Sequence, residues 1–110
     1  MRALAVFTTV ATEADAQRLA RTLVERRLVA CAQISPIESV YRWDGAIQHE
    51  HEVRLLLKTT EARREALTDA LRELHPYQLP AIHAVALEHV EPRYAEWVEA
   101  SVAGEEGKAP

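Results

Sequence analysis

The stretch "LVACAQISPIESVYRWDGAIQHEHEVRLLLKTT", residues 28–60, decides the fold of this chain. It contains two long runs rich in β-forming residues, separated by the Asp-Gly pair at 44–45. Asp-Gly is the pair that a tight primed hairpin turn prefers, so the stretch predicts a β-hairpin with two long arms. With a two-residue turn, Trp43 lies opposite Ala46, and the register of the later pairs follows.

This register divides the side chains of the hairpin between two faces, because successive side chains of a strand point in opposite directions. Among the residues of one face are two aromatic and three charged ones, Tyr41, Trp43, Glu50, Glu52 and Lys58. A neighbouring subunit could place its own charged or aromatic groups against this face. The sequence leaves two interpretations open, a structural interface network and a ligand pocket.

His49 and His51 share the other face with apolar residues of the same strand. Two imidazoles at positions i and i+2 point the same way, as two metal ligands would. A structural metal site needs about four ligands, however, and the adjacent glutamates point away. Further ligands would have to come from another strand, such as Glu38 opposite His51, or from a second copy. We therefore expect solvated strand histidines that attract copper only weakly, since Cu(II) leads the divalent affinity order.

The segments on either side of the hairpin extend the pattern. The predicted elements are a strand at 4–10, a helix capped by Thr12, the two hairpin arms, a helix capped by Thr60, a strand at 79–90 and a helix that begins at Pro92. The apolar stripe of the first helix is expected to be Ala16, Leu19, Ala20, Leu23 and Val24. That of the second is expected to be Ala66, Leu67, Ala70, Leu71 and Leu74.

The order β-α-β-β-α-β predicts an α+β fold, a ferredoxin-like sandwich with a four-stranded antiparallel sheet, a long central hairpin and a short C-terminal helix. We predict one domain at residues 1–102 and a flexible tail at residues 103–110. This fold serves RNA-binding modules, acylphosphatase-like enzymes, metallochaperones and signalling trimers, so the function must be argued from the site.

Composition excludes several classes of function. The chain has 110 residues, of which 48% are hydrophobic, and can bury one core without disulfide or metal staples. A net charge of -4 argues against nucleic acid or an anionic membrane as a partner. The first residues lack the apolar run of a signal peptide, so we expect a cytoplasmic protein. The one cysteine, Cys31, has apolar neighbours, which favour a core thiol over a nucleophile or a metal ligand.

The length of the hairpin predicts an oligomer. Arms of roughly 15 residues reach about 50 Å, whereas a compact domain of this size is about 35 Å across. The overhanging part carries Tyr41, Trp43 and Ile47, and soluble proteins cover or pair such surfaces and strand edges. Another copy of the chain would provide the cover. The alternative is that Pro36 breaks the second strand and keeps the hairpin within one subunit.

Several motifs of the chain occur together in one known family. They are "LVAC" at 28–31, Tyr-x-Trp-x-Gly at 41–45, Glu50 and Glu52 followed by Val53, "KTT" at 58–60, "HPY" at 75–77 and Tyr94-x-x-Trp97. In this combination they resemble the CutA family of divalent-cation tolerance proteins, from about Leu4 to Val98. The resemblance implies a ferredoxin-like fold, a homotrimer in which hairpin strands pair across subunits, and kinship with PII-type signalling trimers.

The chain also departs from the family pattern. Ile37 stands where members commonly have glycine, and Gln78 and Ala81 stand where they often have glutamate. Members described as copper-binding have a thiol near the end of the first strand and a histidine pair before "PY". The corresponding positions are Thr8 and Leu74-His75, so His75 is the candidate metal ligand that the resemblance implies. Capping of the second helix by an imidazolium is an equally open interpretation of His75.

These observations predict a cytosolic homotrimer for divalent-metal tolerance, with copper or another divalent cation as the candidate ion. The alternative is a PII-like trimer that binds a small anionic metabolite in clefts between subunits, and a third possibility is a scaffold that only assembles. The predicted cleft residues are Tyr41, Trp43, Glu50, Glu52, Lys58 and Tyr77. The sequence has no Gly-rich phosphate loop and no nucleophile with a base beside it, so we do not predict an enzyme.

Overall fold

The structure of the chain is a computed structural model, and it describes residues 2–104. Its elements are β1 (Ala3–Val10), α1 (Glu13–Glu25), β2 (Cys31–Trp43), β3 (Ala46–Thr60), α2 (Glu61–Leu74), β4 (His83–Ala86) and α3 (Pro92–Ala103). The strands form one antiparallel sheet in the order β2-β3-β1-β4. The predicted α+β, ferredoxin-like order is confirmed. Of the predicted tail, residues 105–110 lie outside the described residues.

The hairpin of β2 and β3 has the predicted turn and register. Asp44 and Gly45 have φ angles of 57° and 80°, the positive values that a type I′ turn requires at both central residues. Trp43 lies opposite Ala46, as predicted. β2 runs without a break through Pro36, so the predicted alternative of a divided strand is wrong. An edge strand tolerates proline, because its outer side has no ladder partner that needs an N–H.

The hairpin extends beyond the rest of the sheet. β1 pairs with β3 as far as Val10 opposite Val53, and within residues 2–104 the part of β3 at 46–52 pairs with β2 alone. We call residues 37–52 the overhanging ribbon. Its pairs span about 20 Å, and the molecule measures 46 × 30 × 21 Å. The ribbon exposes four large hydrophobic residues to solvent, Val40, Tyr41, Trp43 and Ile47.

The main core lies between one face of the sheet and the helices α1 and α2. Its largest fully buried leucines are Leu23, Leu55, Leu57, Leu67 and Leu71. Two members of the predicted apolar stripes are exposed, Val24 on α1 and Ala66 on α2, and these predictions were wrong. At about 100° per residue, each lies roughly 90° from the centre of the buried stripe of its helix.

Both predicted N-cap residues occupy the cap position, but only one of them caps through its side chain. Thr12 accepts a hydrogen bond from the backbone N–H of Asp15. The hydroxyl of Thr60 is buried and makes no such bond. The N–H of Glu61 donates instead to the carbonyl of Arg2, so the start of α2 is fixed by the backbone beside β1.

The third helix packs on the opposite face of the sheet. Val98 and Val102 of α3 form a second, small core with Ala30. The ammonium of Lys58 lies 5.5 Å from the centre of the Tyr94 ring, on the face opposite to that of the neighbouring core leucine. Within the described residues, no helix combines the length and the apolarity of a membrane-spanning segment.

The fourth strand is shorter than predicted. The prediction covered residues 79–90, whereas β4 pairs with β1 only over His83–Ala86. The preceding residues, 76–79, form a series of bends that leaves the sheet, and Pro80 has no N–H to donate to a ladder. The chain between α2 and β4 is therefore available to pack beside the base of the overhanging ribbon.

Candidate functional site

A cavity of about 570 Å³ lies between the overhanging ribbon and the bent segment at residues 76–81. The ribbon contributes aromatic and acidic residues, and the bent segment contributes a tyrosine and a leucine. The side chains that determine its chemistry are Tyr41, Trp43, Glu50, Glu52, Tyr77 and Leu79. The described lining contains two carboxylates and no lysine, arginine or histidine. The cavity is thus acidic and aromatic at once.

Two tyrosine hydroxyls donate hydrogen bonds to the two carboxylates. The hydroxyl of Tyr77 lies 2.6 Å from Oε2 of Glu52, and that of Tyr41 lies 2.9 Å from Oε1 of Glu50. Burial, and then the hydrogen bond to Glu52, raise the pKa of Tyr77 far above its ordinary value. The hydrogen bond to Glu50 is the main cause that raises the pKa of Tyr41. Both phenols therefore stay protonated and remain donors at neutral pH.

Glu52 is the buried member of the acidic pair. Its residue exposure is 8%, whereas Glu50 is exposed to solvent. Across residues 2–104, we find no cation within ion-pair distance of Glu52. A buried charge without a counter-ion is costly, and one hydrogen bond to Tyr77 compensates only part of that cost. The carboxylate of Glu52 therefore favours a positive group that enters the cavity.

His75 fixes the bent segment to the end of β1. It is buried, and its Nε2 lies 2.9 Å from the carbonyl oxygen of Thr9 and 3.0 Å from the hydroxyl of Thr8. Because a carbonyl only accepts, Nε2 carries the proton, and Nδ1 accepts the N–H of Tyr77 at 3.1 Å. Burial is the main cause that lowers the pKa of His75, which favours the neutral ring over a capping imidazolium.

The family resemblance places Thr8 and His75 at positions that supply copper ligands in some members, and the structure brings these two residues into contact. Both ring nitrogens of His75 are occupied by hydrogen bonds, so a metal ion would have to replace one of them. Ligation by His75 stays a prediction. In the part of the chain that the structure describes, no group of three or more His, Cys, Asp or Glu residues is arranged to hold a metal ion.

The two histidines of the ribbon lie on the face away from the cavity, as the register predicted. Nε2 of His49 lies 2.8 Å from Oε1 of Glu38, and both side chains are more than half exposed. Glu38 is the cross-strand neighbour of His51. The weak copper binding expected of this face stays a prediction.

Five of the six predicted cleft residues line the cavity, and Lys58 does not. Lys58 lies six positions after Glu52, about 20 Å along the strand, so the lysine reaches α3 instead. Cys31 is half-buried there, with its Sγ 3.7 Å from the hydroxyl of Tyr94. Sequence reasoning missed Leu79, because the bent segment is placed by long-range contacts that no local pattern encodes.

Comparisons with known proteins give one consistent family. Residues 4–101 match the family model of the CutA1 divalent ion tolerance protein. The divalent-cation tolerance protein CutA of Salmonella newport (strain SL254) is 39% identical over 101 residues, which are 91% of this chain and 88% of that protein.

Solved structures agree with this match. CutA from Synechococcus elongatus PCC7942 has a TM-score of 0.90 and 40% identity, over 92% of this chain and 90% of that chain. A protein from Archaeoglobus fulgidus, described as the periplasmic divalent cation tolerance protein CutA, has a TM-score of 0.88 and 28% identity, over 91% of this chain and 98% of that chain. The resemblance predicted from the motifs is confirmed.

Proposed function

This chain belongs to the CutA1 divalent ion tolerance family, and from that premise we propose that it acts in divalent-cation tolerance as a homotrimer that binds metal, with copper as the first candidate. The observation that carries the proposal is the overhanging ribbon. We propose a binding role rather than a catalytic one, and a cytoplasmic location.

The ribbon supports assembly because, within residues 2–104, it leaves apolar side chains exposed and the backbone groups of its outer edge without partners. Val40 and Ile47 are 68% and 62% exposed on one face, and Trp43 is 49% exposed on the other. The outer edge of β2 is a second unpaired surface, 13 residues long, at the margin of the sheet. Edges and patches of this kind are usually covered in soluble proteins, and a neighbouring copy would cover both.

Assembly also bears on metal binding. The described part of one chain offers incomplete ligand sets rather than a complete site, namely His49 with Glu38 on the ribbon and the single buried imidazole of His75. A second subunit could supply the missing ligands to the exposed pair, whereas a metal ion at His75 would first have to replace one of its hydrogen bonds. Copper is the first candidate, because imidazole suits Cu(II) and Cu(II) leads the divalent affinity order.

Size-exclusion chromatography with light scattering tests the trimer, and calorimetric titration with copper tests the metal. We expect three times the chain mass of 12.4 kDa and a stoichiometric copper site. His75→Ala should weaken that site more than the double variant His49→Ala with His51→Ala. A monomer at micromolar concentration would contradict the assembly. Loss of the copper site in the double variant alone would show that the histidines of the ribbon, and not His75, bind the metal.

A second candidate function is a PII-like trimer that binds a small metabolite in its inter-subunit clefts. The cavity favours it, because five predicted cleft residues converge there around about 570 Å³, a volume in the usual range for small-molecule pockets. The sequence-based alternative is a metabolite that is anionic. An anion would have to find its positive partners on a neighbouring subunit, since the described lining of one chain supplies none.

A further inference from the structure

We propose that the cavity beneath the overhanging ribbon binds an organic cation, a small molecule with an ammonium group attached to an apolar body. This inference rests on the ligand-binding part of the second candidate function, not on its trimer, and deepens it by naming the class of ligand. It reverses the sign of charge expected of that ligand. All the residues that would contact the ligand belong to one chain, and a neighbouring subunit that covers the ribbon would close the open side of the cavity.

Two carboxylates give the cavity its charge. Glu50 and Glu52 lie two residues apart on β3, about 7 Å along the strand, and both line the cavity. Within residues 2–104 neither of them is paired with a cationic side chain. Each carboxylate receives one tyrosine hydroxyl on one oxygen, and no hydrogen bond in the described chain occupies the other oxygen. An ammonium group can donate to that oxygen and supply the missing counter-charge of Glu52.

The walls of the cavity are aromatic and apolar. Trp43, Tyr41 and Tyr77 present aromatic rings to the same cavity, and Leu79 and Pro76 add apolar surface. An aromatic face attracts a cation electrostatically, and tryptophan does so most strongly. Aromatic and aliphatic walls also bury the apolar body of a ligand, which gains free energy in proportion to the buried area. The lining therefore suits both ends of an organic ammonium ion.

A bare metal ion fits the same residues less well. Calcium takes six to eight oxygen ligands and magnesium requires near-ideal octahedral geometry, whereas the described lining adds to its two carboxylates only the side-chain oxygens of Thr9 and Gln78 among apolar and aromatic groups. The tyrosine hydroxyls point their protons at the carboxylates and so compete for the oxygens that a metal would use. Among the described residues, no cluster suited to a metal ion includes this pair.

Three probes of matched shape test the sign of the charge: 2-phenylethylamine as the cation, 2-phenylethanol as the neutral analogue and phenylacetate as the anion. Each is titrated calorimetrically into the full chain at pH 7.5 and low ionic strength. We expect the amine to bind at least about tenfold more tightly than the alcohol, and phenylacetate to bind most weakly. Equal binding of amine and alcohol, or a preference for phenylacetate, would overturn the proposal.

Glu52→Gln tests the residue that carries the argument. It removes the charge but keeps the shape, so affinity for the amine should fall about tenfold while affinity for the alcohol stays the same. Glu38→Gln is the matched control, because it removes an equal charge from the opposite face of the same ribbon. If Glu52→Gln does not fold, Glu50→Gln at the exposed carboxylate carries the test. An amine preference that persists in both cavity variants would refute the site.

Light scattering and copper titration on the same samples separate this proposal from the proposed function. A monomer that prefers the amine would refute the trimer and keep the cation cavity. A copper-binding trimer that takes up none of the three probes would refute the cation cavity and keep the metal function. In that case a neighbouring subunit would occupy the cavity.

Discussion

Tyr77 joins the bent segment after α2 to the base of the overhanging ribbon through one short hydrogen bond to Glu52. Tyr77→Phe removes the donor and leaves a buried carboxylate with none. We expect the free energy of unfolding in urea to fall by about 1–3 kcal/mol.

Tyr41→Phe is the control for this prediction. It removes the same kind of bond from Glu50, which is exposed and can be hydrated instead. The expected loss is therefore smaller than that of Tyr77→Phe. Equal losses of unfolding free energy in the two variants would show that the stabilisation by the Tyr77 hydrogen bond does not depend on the burial of Glu52.

His75 gives the fold a dependence on pH. Burial lowers its pKa in the folded state, so the unfolded chain binds a proton first as the pH falls below the ordinary value of 6.5. Its contribution to stability is thus fully present above about pH 6.5 and is lost as the pH falls toward the folded-state pKa. We expect the wild type to lose more stability between pH 7.5 and 5 than His75→Gln, measured by urea unfolding at each pH. The exposed variant His49→Gln should follow the wild type.

The hairpin turn shows how far local pattern determines an element. Gly45 has a φ of 80°, and a Cβ at this position would meet no atom within 4 Å, so the cost of a side chain there is purely conformational. We expect Gly45→Ala to lower the free energy of unfolding by about 1 kcal/mol.

Asp44→Asn is the matched change at the other turn position, and asparagine tolerates the left-handed conformation as aspartate does. Urea unfolding of this variant should differ little from that of the wild type. A loss as large as that of Gly45→Ala would mean that Asp44 contributes through its side chain and not through its conformation.

Elements whose geometry is set by neighbours in the sequence were predictable. The Asp-Gly turn fixed the register, and the register placed Glu50 and Glu52 beside Tyr41 and Trp43. Elements set by distant contacts were not. β4 is shorter than its apolar run, and the bent segment with Leu79 folds back because His75 and Tyr77 bond to β1 and β3. The cavity lies where these two kinds of element meet. Its residues on the ribbon could therefore be predicted from the sequence, whereas Leu79 on the bent segment could not.

The proposed assembly of the whole molecule can be tested by one substitution. Trp43→Glu should weaken the oligomer, because it would put an unpaired charge into the contact that we expect to cover the ribbon. Light scattering over a range of protein concentrations would report a larger share of the smaller species. Val24→Glu is the control, since Val24 is 43% exposed on α1, close to the 49% of Trp43. An equal effect of both variants would mean that the ribbon is not the contact.

The position of the turn at the tip of the ribbon has a consequence for the order of folding. The pairs nearest the turn close short loops, whereas β1 must find partners 43 residues away, from Val10 to Val53, and 57 residues away, from Ala3 to Thr60. Loop closure costs more entropy and slows folding as the separation grows. The hairpin can therefore form first, before the core is assembled, and β1 can then pair with β3. The apolar faces of the hairpin would be exposed to solvent during this period, so the folding chain is most prone to aggregate before β1 pairs with β3.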